Sequence, residues 1–229
     1  MANPLSEIQL ALKESITTGN TTKMFEIFKE TPELIHEKLS GETLLHLAVE
    51  ANQREITEIL ILRGINVNEK NTRNETALYK ASSKEIVEFL AIKGADVNAA
   101  DNNSRSPLHA AVLHSQIPAI ESLMLKGANI NARDKSESTP LHVAVATGNK
   151  KIVELLIMMG ADLNVQDSFG DTPLHTAVID NYIEIAKVLI LNRADVNIKN
   201  KDGCTPRADA KARNYTEMIM LLHQFGGVE

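Results

Sequence analysis

Apolar positions fall in two short helical stripes that alternate along the chain. In the clearest stretch Leu141, Ala144 and Val145 share one face of a short helix, and Ile152, Val153, Leu155 and Leu156 form the inward stripe of a second. Spacings of three and four put side chains on one side of an α-helix. The polar turn Thr147-Gly148-Asn149 separates the two, and Gly160 ends the second. This layout returns at fixed intervals. Thr43, Thr76, Ser106, Thr139, Thr172 and Thr205 open successive copies, spaced by 33, 30, 33, 33 and 33 residues. One helix pair cannot bury its apolar face alone, so such a period predicts units that stack on their neighbours as a solenoid.

Each unit opens on a helix-start signal. In Thr139-Pro140-Leu141-His142-Val143-Ala144 and Thr172-Pro173-Leu174-His175-Thr176-Ala177, the Thr hydroxyl caps free N–H groups. Pro takes the first helical position, where a missing N–H costs nothing. Unit closings recur as Gly160-Ala161-Asp162-Leu163-Asn164, at Gly64 to Asn68, Gly94 to Asn98 and Gly127 to Asn131, and as Arg193 to Asn197. With the Gly148-Asn149 turn and the Ile152-Val153, Leu155-Leu156 stripe, these phrases resemble the ankyrin repeat. The resemblance covers residues 38 to 229 closely and the first 37 loosely. It implies an all-α ankyrin-repeat solenoid of paired antiparallel helices with hairpin-like fingers. It further implies a non-enzymatic module that binds another protein on a concave face of finger tips and first-helix ends, as an adaptor, scaffold or inhibitor. A bacterial effector acting on a host protein by binding is the alternative, and an enzyme or a self-assembling array a more distant one.

The period divides the chain into a degenerate N-terminal cap (1–37), repeats at 38–70, 71–100, 101–133, 134–166 and 167–199, and a C-terminal cap (200–229). The N-terminal cap keeps two amphipathic helices around Gly19-Asn20, with Leu10 and Leu12 before the turn and Met24, Phe25, Ile27 and Phe28 after it. The unit at Thr76 is three residues short, has Ala77 and Tyr79 in place of Pro and His, and has Asn74 in place of Gly. A clipped turn and the weakest local stability are expected there, because a linear array opens at its poorest interface. The last unit has Arg207 and Ala208 where Leu and His belong, so it should turn polar groups outward. Met218, Ile219, Leu221 and Leu222 supply its inward stripe.

Composition narrows the partners. A net charge of −6 argues against a general nucleic-acid binder, which needs a basic face. No run of about 18 apolar residues occurs, so no membrane span is expected. Residues 1 to 8 lack a basic-then-apolar layout, so no secretory signal is expected. The one cysteine, Cys204, excludes an intrachain disulfide, fits a reducing compartment and is read as an ordinary surface residue. A cytoplasmic or nuclear location follows as an expectation, or the host cytosol for an effector.

No catalytic, metal or cofactor motif appears. His46, His109, His142 and His175 occupy one slot of successive units. Neighbouring helices set such rings about 10 Å apart, too far to share an ion with ligand distances near 2 Å. In the ankyrin family this histidine joins adjacent units. Asn98, Asn131, Asn164 and Asn197 read as turn asparagines, although the resemblance also admits hydroxylation there. The candidate docking residues lie on fingers and first-helix ends. Arg73, Arg105, Arg133 and Lys135 are on the middle fingers, Leu113 and His114 at a first-helix end, and Phe169, Asp171, Ile179 and Asp180 follow. Apolar anchors beside charge suit a protein interface. Both ends look capped, so a monomer is expected.

Overall fold

The computed structural model describes the backbone of residues 4–228 and side chains from residue 7. Residues 1–3 and 229, at the outer ends of the two expected caps, lie outside the described residues. Among the described residues the regular structure is almost wholly helical: α1 (Pro4–Thr18), α2 (Thr21–Glu30), α3 (Leu44–Glu50), α4 (Arg54–Leu62), α5 (Lys84–Ile92), α6 (Pro107–Leu113), α7 (Ile117–Leu125), α8 (Pro140–Ala146), α9 (Lys150–Met158), α10 (Pro173–Ile179), α11 (Ile183–Leu191), α12 (Pro206–Ala212) and α13 (Thr216–Gln224). One finger carries a two-residue hairpin, β1 (Lys38–Leu39) and β2 (Glu42–Thr43), with Lys38 opposite Thr43. The chain forms two compact units. Met1–Ala111 with Pro118–Ala128 make the first, and Val112–Ile117 with Asn129–Glu229 the second.

In the second unit the first helices pack in the order α8, α10, α12 and the second helices in the order α9, α11, α13. The sequence produces this locally. Thr139 and Thr172 cap α8 and α10 through capping boxes completed by His142 and His175. Leu141, Val145, Ile152, Val153 and Leu156 are fully buried, with small Ala144 between them where helices approach. After each second helix an asparagine ties one unit to the next: Asn131 Oδ1 accepts from Asp162 N–H at 3.0 Å and Asn164 Oδ1 from Asp195 N–H at 2.9 Å.

The first unit repeats the plan from α1, which packs on α2 and α3. Its inward residues are Leu12 and Ile16, one helical turn apart and fully buried. Leu10, read from sequence as part of the apolar face, is 66% exposed, and Phe25 is 40% exposed. Both sit a quarter turn or more from the buried line of their helices, so the inward face here is narrower than the run of apolar letters.

At Thr76 the clipped unit replaces its first helix by a 3-10 turn over Ala77–Lys80. The Thr76 hydroxyl caps nothing and is buried without a partner, because Tyr79 offers no ring nitrogen to meet it. Tyr79 instead sends its hydroxyl to Asp101 Oδ2 at 3.4 Å. Burial, then the Asp101 charge, push that hydroxyl up to about 12, so it stays a donor. Amides of residues 77–81 are expected to exchange with deuterium ahead of those in α3 and α5, as measured by native-state exchange. Equal protection across the three would count against a weak point.

The C-terminal unit corrects one expectation. Arg207 is half-buried rather than turned to solvent, and its Nη1 donates to Gly227 O at 3.2 Å. Thr205 Oγ1 donates to Val228 O at 2.6 Å, and Asn197 Oδ1 accepts from Val228 N–H at 2.8 Å. The Asn197 bond is the same asparagine link that joins the earlier units, and the two carbonyls of Gly227 and Val228 take the polar groups of Arg207 and Thr205.

Candidate docking surface

The fingers after the first fold around Asx turns. In the second unit Asp134 Oδ1 accepts from Ser136 and Ser138 N–H, and Asp167 Oδ1 from Phe169 and Asp171 N–H. Successive tips are laced together. Ser168 N–H donates to Ser136 O at 2.9 Å, and Lys201 N–H to Phe169 O at 3.0 Å. On this frame Phe169 is 69% exposed and does not fold back on its own finger. Lys135 is also exposed, and among the described residues no carboxylate pairs with it. Arg133 is exposed but held. Its guanidinium pairs with Glu137 at 3.0 Å and donates to Gln166 O. Leu113 is 44% exposed beside exposed His114. Ile179 is half-buried and Asp180 exposed at the end of α10.

Asp171 is half-buried and tied to its neighbours. Its carbonyl accepts from His142 Nε2 at 3.1 Å, and its carboxylate accepts from Asn200 Nδ2 at 2.8 Å. In the first unit Arg73 is likewise committed, pairing with Glu42 at 3.1 Å and Glu75 at 3.0 Å. Burial tends to raise the Glu42 carboxyl, but the Asn71 hydrogen bond and Lys80 outweigh it and hold the group below its ordinary value. Arg105 is half-buried, and its backbone N–H closes an Asx turn on Asp101. The sequence reading passed over Lys199 and Lys201. Both are exposed and share with Arg133 a polar hollow of about 410 Å³ between fingers of the second unit.

The histidine slot is fully engaged. In His142 and His175, Nδ1 accepts the backbone N–H of Thr139 and Thr172 at 3.1 Å, so Nε2 carries the proton and donates to Asp171 O and Cys204 O. His46 makes the same link to Glu75 O at 2.9 Å. Burial, opposed by the carbonyl contact, holds both His46 and His142 below the ordinary imidazole value. Cys204 is half-buried rather than a plain surface residue.

Asp171, His175 and Asp209 bring three candidate ligand atoms within 4.8 Å of one another. The donor set does not suit a metal ion. Both His175 nitrogens are used, and Asp171 already accepts from Asn200. Asp209 Oδ1 faces Arg213 at 3.6 Å, leaving only Asp209 Oδ2 buried without a partner. Burial pushes the Asp209 carboxyl up; His175 and Arg213 pull against it, and Asp171 and Asp202 add to it. Among the described residues no helix is long and apolar enough to cross a membrane.

Capped helix pairs, histidines bridging one unit to the next, and fingers presented on a laced frame define a helical repeat protein whose working parts are surfaces. The family model for ankyrin repeats in three copies matches residues 12–101, 45–134, 85–167 and 108–200. These matches together span most of the chain, which belongs to the ankyrin-repeat family, and ankyrin repeats are protein–protein interaction modules. Among curated proteins none matches the chain.

Proposed function

We propose that this chain is a non-enzymatic adaptor, scaffold or inhibitor, working as a single copy, that docks a protein partner on the finger tips and first-helix ends of its second unit. Phe169 is the apolar anchor, with Leu113 and Ile179 as further apolar contacts. Arg133, Lys135, His114 and Asp180 supply the polar contacts. Asp171 keeps the finger in place, and Arg73 and Arg105 stiffen fingers of the first unit. The observation that carries this reading is Phe169, 69% exposed on a finger fixed by two Asx-turn bonds and a bond to the next tip. A large ring held out on rigid backbone is the kind of anchor on which interfaces concentrate their binding energy, because little conformational freedom is lost on docking.

Affinity capture from lysate of the source cells, followed by titration of the recovered partner, tests it. The Phe169→Ala, Arg133→Glu double variant is expected to bind at least tenfold more weakly, about 1.4 kcal/mol, with unchanged helicity by circular dichroism. A partner held equally by both proteins would sink this surface.

A further inference from the structure

Three second helices of the first unit, α4, α5 and α7, end on a large aliphatic residue left mostly in solvent. These are Leu62, Ile92 and Leu125, which are 70%, 73% and 78% exposed. Each stands two residues before a glycine in the left-handed region, Gly64, Gly94 or Gly127. The helix ends are tied in a row, because Asn68 Nδ2 donates to Gly94 O at 2.9 Å and Asn98 Nδ2 to Gly127 O at 3.3 Å. Isolated exposed leucines are ordinary. The same slot filled three times on neighbouring helices is a stripe.

Charge is ordered on either side of it. One residue further on come Arg63, Lys93 and Lys126, all exposed, with no carboxylate paired to any of them among the described residues. One helical turn earlier come Glu58, Glu88 and Glu121. Beyond Leu62, on the side away from Ile92, Arg63 stacks over Phe25 at 4.6 Å. There it closes a hollow of about 490 Å³ lined by Phe25, Phe28, Lys29, Pro32 and Ile35.

We propose that this three-striped face of the first unit docks an amphipathic α-helix of a partner protein. The helix has an apolar seam, acidic side chains on one edge and basic side chains on the other. Packed helices lie about 8–10 Å apart, and seven residues of a helix advance about 10.5 Å. A seam repeating every seventh residue therefore meets Leu62, Ile92 and Leu125 in turn. The acidic edge lies over Arg63, Lys93 and Lys126, the basic edge over Glu58, Glu88 and Glu121, and a large apolar side chain at one end enters the Phe25 hollow. This helix-in-groove mode takes specificity from edge charges. An anionic membrane is a poorer occupant, because the glutamate stripe would repel it. A second copy is poorer too. Laid face to face, two copies oppose acid to base only with the two-fold axis along the row, and hollow then faces hollow and stays empty.

The test uses the full chain and a fluorescent synthetic helix of about three heptads, with Leu on the seam, a Phe at one end, Glu on one edge and Lys on the other. Anisotropy is expected to show saturable binding. Binding should weaken at least tenfold in the Leu62→Gln, Ile92→Gln, Leu125→Gln variant, whose changes are all on exposed positions. In Arg63→Glu, Lys93→Glu, Lys126→Glu, preference should move to a peptide with Lys on both edges, a shift that mere unfolding cannot produce. The Phe169→Ala, Arg133→Glu variant should bind the peptide as the wild type does. Absence of binding, or binding indifferent to the three glutamines, overturns the proposal. Sedimentation with phosphatidylserine vesicles that the glutamines abolish would make the face a membrane contact. A concentration-dependent dimer that they abolish would make it a self-contact. Either result also overturns it.

Discussion

Gly170→Ala should destabilise the second unit by about 2–4 kcal/mol, whereas Gly203→Ala at the matching point of the next finger should cost only about 1–2 kcal/mol. Both glycines lie in the left-handed region, at φ 80° and 77°, where a β-carbon alone costs about 1–2 kcal/mol. The difference lies in what the new methyl meets. At Gly203 nothing stands within 4 Å, but at Gly170 it would lie 2.6 Å from the Lys201 backbone nitrogen and 3.1 Å from Asn200. Backbone cannot swing aside as a side-chain tip can. The Lys201 N–H bond to Phe169 O would be lost as the tips separate, adding about 1 kcal/mol. Urea titrations of both variants measure the gap. Equal costs would show that the lacing of finger tips contributes nothing. The Gly170 variant should also bind a partner less well, since it moves the frame under Phe169.

The parts of this fold that were legible in sequence are those whose partners are close along the chain. The Thr139 cap and the His142 contact to it span three residues, so the phrase Thr-Pro-Leu-His declares both. The shortened unit was visible by counting, and its 3-10 turn follows from having too few residues to complete a helix before Ser83. What escaped were contacts about 30 residues apart and choices inside continuous apolar runs. Nothing near Asp171 in sequence announces Asn200 or His142, so a tied carboxylate passed for an exposed one. Arg73 hid its pairing with Glu42 for the same reason. In Ile59-Leu60-Ile61-Leu62 and Leu155-Leu156-Ile157-Met158 every letter is apolar, and periodicity cannot say which one points outward. Leu62 and Met158 are 70% and 78% exposed, and only the packed helices reveal it. Phe169 and Lys135 are exposed as a finger position implies, since short polar turns leave their tip side chains no core to enter.

Replacing His142 by Leu is expected to cost about 3 kcal/mol at pH 7.5, and the cost should shrink in acid. Leucine fills the space but deserts two groups, the buried Thr139 N–H and the part-buried Asp171 carbonyl. Each group left without a partner costs about 1–3 kcal/mol. Thr139 is fully buried, so water cannot step in. The pH dependence separates this role from simple packing. Burial holds His142 below the ordinary imidazole value in the folded chain, against the pull of the Asp171 carbonyl. The unfolded chain therefore takes up the proton first as pH falls through about 6.5. The histidine's contribution is complete above that value and declines below it, since the unfolded state then binds more protons. His46, shifted in the same direction, adds to the decline of the wild type. The leucine variant has lost one of these proton sites, so its stability falls less steeply and the two curves converge toward pH 5. Parallel curves from pH 7.5 to 5 would mean that His142 takes up its proton as readily in the folded chain as in the unfolded one. The assignment of its Nδ1 as an acceptor from Thr139 would then be wrong.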